Sequence, residues 1–119
     1  MAVTFYHYPN CNSCRKAKKW LEENNIEYID KHIVKETPTK EEILQFFRLS
    51  NEKPRRFFNT SGKVYREQNM KDKIKDATEG EIATYLASNG MLIRRPIITD
   101  GKNVTIGYNE DKLREVWLA

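Results

Sequence analysis

The chain is poor in the residues that would place it in several common classes: two cysteines, two histidines, four prolines and five glycines in 119 residues. A tetrahedral zinc site needs four ligands, and beside the cysteines only His7 and His32 are at hand, neither at finger spacing. No apolar run approaches the ~20 residues of a membrane span, and Met1 to Pro9 lacks the basic-then-apolar order of a signal peptide. A cytoplasmic protein without membrane contact is therefore expected. In that reducing compartment a lone cysteine pair is more often catalytic or sensing than a structural staple. Internal repeats, low-complexity segments and linkers are also missing, so residues 1–119 are expected to form one domain with a single core. The net charge of +4 comes from 21 basic residues interleaved with 17 acidic ones. That spread describes a solvated surface rather than a binding stripe, and no direct contact with nucleic acid is expected.

What is present centres on Tyr8-Pro9-Asn10-Cys11-Asn12-Ser13-Cys14-Arg15, which holds both thiols between a strand-like and a helix-like stretch. Cysteines at i and i+3 on a first helical turn have Cα atoms roughly 5 to 6 Å apart, within reach of a disulfide. Cys11 and Cys14 can therefore form and break one bond. Free backbone N–H groups and the positive end of the macrodipole at a helix start stabilise a thiolate, and Arg15 to Lys19 add positive charge. Cys11, nearer the N-terminus, is the expected nucleophile. Half of a zinc site and a pair of inert buried thiols are the competing readings.

Along the chain, Val3 to Tyr8 is rich in β-branched and aromatic residues and is closed by Pro9, as in a buried first strand. A helix from about Asn12 to Asn24 follows, with Cys14, Ala17, Trp20 and Leu21 on one face. Ile26 to Asp30 is expected as a second strand, completing a β-α-β unit with the thiols at its switch, the setting of a thioredoxin-type redox motif. Residues 36–90 carry helical patterns only. Thr39 with Glu42 and Thr78 with Glu81 have capping-box spacing, and Asn89-Gly90 is expected to provide a left-handed helix stop. The sheet is expected to resume over residues 91–99 and to turn back at Asp100-Gly101, a hairpin signal. Pro96 fits a strand only at its first position, at an edge or in a special turn, so a cis and a trans Arg95-Pro96 bond are both open. Asn109 should cap a last helix bearing Leu113, Val116 and Trp117 on one face.

His7-Tyr8-Pro9-Asn10-Cys11, Arg15, Arg94-Arg95-Pro96-Ile97-Ile98 and Gly107-Tyr108-Asn109-Glu110-Asp111 together resemble the ArsC/Spx family of thioredoxin-fold proteins. The resemblance covers nearly the whole chain. It is closest to small ArsC-like reductases of unassigned substrate, which carry the Phe57-Phe58-Asn59-Thr60-Ser61-Gly62 segment. It implies an α/β thioredoxin-like fold, with a central mixed sheet of about four strands. Residues 1–35 and 91–119 would form the thioredoxin-like part and residues 36–90 an all-helical insertion. It also implies that Cys11 is the reactive cysteine, with His7 before it and Arg15 after it, and that Arg56 and Arg95 bind oxyanions. Guanidinium groups suit that role, because they fork onto oxyanions and lower a neighbouring thiolate's pKa.

Two departures bear on function. The family's arsenate reductases carry a third arginine where this chain reads Val104-Thr105-Ile106-Gly107-Tyr108, which tells against arsenate as substrate. Cys14 stands where the glutaredoxin-dependent reductases have serine, so a mixed disulfide on Cys11 could be resolved internally. The expected function is a monomeric thiol-disulfide oxidoreductase acting on an oxyanion or disulfide substrate. Cys11 attacks, Cys14 resolves, Arg15 and Arg95 hold the anion, and His7 and Pro96 support them from behind. Thioredoxin or glutaredoxin would supply electrons, with no metal or organic cofactor. The alternative is an Spx-like redox-sensing regulator that contacts the RNA polymerase α subunit.

Overall fold

The computed structural model describes residues 2–118. The chain divides into two units, one running to His32 and resuming at Arg95, the other comprising Ile33–Arg94.

The first unit is built on a four-stranded mixed sheet in the order β2-β1-β3-β4. Its strands are β1 (Val3–His7), β2 (Tyr28–His32), β3 (Ile97–Thr99) and β4 (Val104–Ile106). β1 pairs in parallel with β2 and antiparallel with β3, and β3 pairs antiparallel with β4. The mixed sheet expected from the sequence is thus present. A parallel β1–β2 pair needs a crossover, and helix α1 (Asn12–Glu23) supplies it. Its apolar stripe of Cys14, Ala17, Trp20 and Leu21 is buried on the sheet with Val3, Phe5, Ile98 and Leu113. Burial of a side chain such as Phe5 or Leu21 contributes about 1.5 to 3 kcal/mol. Trp20 is buried, and its indole N–H finds no acceptor among the described residues. Helix α6 (Glu110–Trp117) adds Leu113 to this core and hydrogen-bonds Trp117 Nε1 to Thr105 Oγ1 at 3.1 Å. Asn109 caps it as expected, accepting the Lys112 N–H at 3.0 Å.

β2 begins two residues later than the sequence pattern suggests. Asn25 adopts φ 57°, and Ile26 donates its N–H to the Leu21 carbonyl at 2.9 Å, the 6→1 bond of a Schellman stop. Ile26 is thereby committed to ending α1 and packs on the core instead of entering the sheet. The Asp100-Gly101 hairpin also differs. Its loop is four residues long, 100–103, because Asp100 Oδ1 accepts the N–H groups of Lys102 and Asn103 at 2.9 and 2.7 Å, and Gly101 takes φ 89°.

The second unit is helical: α2 (Lys40–Ser50), a 3-10 turn Pro54–Phe57, α3 (Lys63–Glu67), α4 (Met70–Lys73), α5 (Glu79–Ser88) and a second 3-10 turn, Gly90–Leu92. Both capping boxes form. Thr39 Oγ1 accepts the Glu42 N–H at 3.2 Å while Glu42 Oε1 accepts the Thr39 N–H at 2.9 Å, and Thr78 and Glu81 repeat this at 3.2 and 2.8 Å. Such a cap contributes about 1 kcal/mol. Ile43, Phe46 and Phe47 of α2 and Ile82, Ala83 and Leu86 of α5 are buried, and the Phe47 ring meets Phe57 edge-on at 5.1 Å.

Asn89-Gly90 does not form the left-handed stop expected of it. Asn89 is extended at φ −160°, its side chain accepting the Met91 N–H at 2.8 Å, and Gly90 starts the second 3-10 turn. The glycine serves close approach instead. A Cβ at residue 90 would overlap the Ile33 carbonyl oxygen and lie 2.7 Å from the Ile33 carbonyl carbon and 2.9 Å from Val34 Cα. The sheet does not resume at residue 91 either. The Phe57–Asn59 segment takes up that stretch through a Phe58–Ile93 bridge, with Asn59 N–H on Leu92 C=O at 2.8 Å and Arg94 N–H on Phe57 C=O at 2.7 Å.

Candidate functional site

The loop between β1 and α1 presents the thiols. Cys11 is extended (φ −136°, ψ 114°) and is the N-cap of α1, its sulfur accepting the Cys14 N–H at 3.2 Å. This is the position where an unpaired helix N–H and the helix dipole favour negative charge. Both cysteines are free thiols. Cys11 is half-buried and Cys14 is only 3% exposed, so an external reagent meets Cys11 first. Burial, and then a hydrogen bond with the Cys11 thiol, push the Cys14 pKa up to about 12, while a backbone bond at Tyr8 and the positive charge of Arg95 oppose the shift. The pair is therefore unequal: one accessible sulfur on a helix start, and one enclosed sulfur that keeps its proton.

The arginines take different places. Arg15 reaches back over the loop, with Nη1 donating to Asn12 Oδ1 at 2.7 Å and Nη2 to the Pro9 carbonyl and Asn10 Oδ1, each at 3.4 Å. In the structure it braces the segment that carries Cys11. Arg95 precedes a cis peptide bond to Pro96, and its guanidinium stacks over the Tyr8 ring at 5.1 Å. Of the two isomers left open by the sequence, cis is the one present. Pro96 is buried at the entry to β3, its carbonyl accepting the Gly107 N–H at 2.8 Å. Arg56 belongs to the helical unit, where its Nε meets Glu52 Oε2 at 2.8 Å.

His7 ends β1, its ring stacked on Phe5 with centroids 5.1 Å apart and planes 10° from parallel. Its Nε2 lies 3.3 Å from Asp30 Oδ1. Burial holds the imidazole below its usual pKa. Asp30 pulls the other way, and Lys18 and His32 add to the lowering. A hollow of about 210 Å³ is lined by Phe5, His7, Tyr8, Pro9, Cys14, Arg15 and Lys18. The sheet unit thus gathers His7, Cys14 and Arg15 around one space.

Tyr8 and Asp30 were not singled out from the sequence. Tyr8 lies inside the central motif, but its part as a platform for Arg95 and an edge-on neighbour of His32 (5.5 Å) depends on residues far along the chain. Asp30 joins His7 because the parallel register sets Phe5 opposite Asp30 and His7 opposite His32, leaving all of Phe5, His7 and Asp30 on one face. Among the described residues no group of three or more His, Cys, Asp or Glu could hold a metal ion, and no helix is long and apolar enough to cross a membrane.

The ArsC family model matches residues 6–116. The chain is 50% identical to the uncharacterized protein YusI of Bacillus subtilis, over 98% of this chain and 99% of that one. It is 38% identical to the regulatory protein MgsR of the same organism, over 93% and 86%. A crystal structure of a Bacteroides fragilis protein described as related to the ArsC family superposes with a TM-score of 0.92 at 42% identity, covering 97% of each chain.

Proposed function

This chain belongs to the ArsC family, and from that premise we propose that it is a cytoplasmic thiol-disulfide oxidoreductase working through Cys11 and Cys14. Cys11 attacks an oxidised or oxyanionic substrate as the thiolate. Arg15 and Arg95 hold the anion, Cys14 attacks the adduct to leave the Cys11–Cys14 disulfide, and thioredoxin or glutaredoxin reduces that disulfide. No metal or organic cofactor takes part. The observation that carries this reading is the inequality of the thiols, with Cys11 reachable and capping α1 and Cys14 enclosed one turn along with its N–H on the Cys11 sulfur.

Cys14→Ser tests it. Cys11 should still take up one equivalent of a disulfide reagent such as oxidised glutathione, but the mixed disulfide should persist, and mass spectrometry should find about tenfold or more adduct over wild type at equal times. A variant that clears the adduct as fast as wild type would remove Cys14 from the mechanism.

One finding favours a second reading: a relative at 38% identity is named a regulatory protein. In that reading the same disulfide is a switch, and the surface that follows from it contacts the RNA polymerase α subunit. Retention of α subunit by the oxidised but not the reduced chain would support the regulator. Insulin or arsenate reduction that depends on Cys11 would support the enzyme.

A further inference from the structure

We infer that His7, oriented by Asp30, is the general base that takes the proton from Cys14 when Cys14 resolves a mixed disulfide on Cys11. The inference rests on the disulfide exchange proposed above and adds the residue that makes its second half fast. Cys14 must become a thiolate to attack, yet it is enclosed and holds its proton far above neutral pH. His7 and Cys14 line the same hollow, whose 210 Å³ has room for several waters. The imidazole is fixed on two sides, by stacking on Phe5 and by Nε2 on Asp30. With the Nε2 proton directed to the carboxylate, Nδ1 is left as the acceptor. Carboxylate, imidazole and thiol then have the order of a base held by an orienting group.

The step balances without another reactant. The Cys14 proton passes through water in the hollow to His7 Nδ1. The Cys14 sulfur attacks the Cys11 sulfur, the Cys11–Cys14 bond forms, and the bond from Cys11 to the substrate sulfur breaks. The substrate leaves as a thiolate with the bonding pair and takes the proton from His7. Asp30 is a positioning residue. The charged and titratable groups around the ring are Asp30 and His32 from β2, Cys14, Arg15 and Lys18 from α1, and Tyr8 from the loop. Since burial lowers the His7 pKa, the ring is neutral, and able to accept a proton, throughout the range above its ordinary 6.5.

The two halves separate in a reaction of reduced protein with one equivalent of a chromogenic aryl disulfide, followed by stopped flow across pH. The first equivalent of aryl thiolate reports Cys11 attack, and the second reports resolution by Cys14. His7→Asn should slow the second phase about 10²-fold, far more than it changes the first. In wild type the second phase should rise with pH below 6.5 and then level. In His7→Asn it should climb steadily with pH, as for a thiol ionising unaided. Asp30→Asn keeps the ring and removes the group that raises its pKa, so the wild-type bend should move to lower pH. A second phase in folded His7→Asn within twofold of wild type and with the same profile would overturn the inference. Should that variant fail to fold, an unmoved bend in Asp30→Asn overturns it instead. A wild-type protein that releases only the first equivalent would fail the disulfide exchange itself, a different outcome from a second phase indifferent to His7.

Discussion

Replacing Cys11 by serine is expected to abolish disulfide reduction, lowering the rate of reaction with a chromogenic disulfide at pH 7 by about 10³-fold or more. The substitution is informative because of where Cys11 sits. It is the N-cap of α1, with its sulfur accepting the Cys14 N–H, and serine is among the preferred N-cap residues. Cys11→Ser therefore keeps or improves the structural role and removes only the ionisable sulfur. Cys14 cannot substitute for it, being 3% exposed with its pKa pushed up to about 12. The melting temperature by circular dichroism should be unchanged or slightly raised while reactivity disappears. A Cys11→Ser protein that releases thiolate at the wild-type rate would mean that the accessible sulfur is not the nucleophile.

Gly90→Ala is expected to destabilise the helical unit by about 3 to 5 kcal/mol, at the upper end of what single substitutions do. The atoms that a Cβ would meet are the Ile33 carbonyl and Val34 Cα, all backbone, so no rotamer change relieves the overlap. The Gly90–Leu92 turn would have to lift from the Ile33–Val34 segment. Gly80, on the first turn of α5, is the control. A Cβ there meets nothing within 4 Å among the described residues, so Gly80→Ala should stabilise by about 0.5 to 1 kcal/mol. Urea denaturation of the two variants should move the midpoint in opposite directions. A Gly90→Ala midpoint within the error of wild type would mean that the turn and the segment can part at little cost.

Features decided within a few residues could be read from the chain before its structure. The Cys14, Ala17, Trp20, Leu21 stripe, the capping boxes at Thr39 and Thr78 and the Asn109 cap each depend on neighbours no more than seven positions apart, and all are present. The misplacements share a different cause. Ile26 looks like strand by composition, but Asn25 in the left-handed region draws it into ending α1. Gly90 looks like a helix stop, and its small size is instead used against Ile33, 57 positions away in the chain. Leu92 and Ile93 look like sheet, but the Phe57–Asn59 segment takes their backbone groups. At the site the helix-start placement of the thiols, and Cys14 on the apolar stripe of α1, were legible in the sequence, while their unequal accessibility is a finding of the structure. The His7–Asp30 pair was not legible, because it exists only once the parallel register of β1 and β2 is known.

The chain has two tryptophans, and both pack in the cluster that contains Cys14: Trp20 buried six residues along the same helix, and Trp117 against it from α6. Disulfides quench nearby indole emission and thiols do so less. The disulfide proposed for Cys11 and Cys14 would therefore register in the protein's own indole emission, and ultraviolet-excited fluorescence of unlabelled material would follow its formation and reduction.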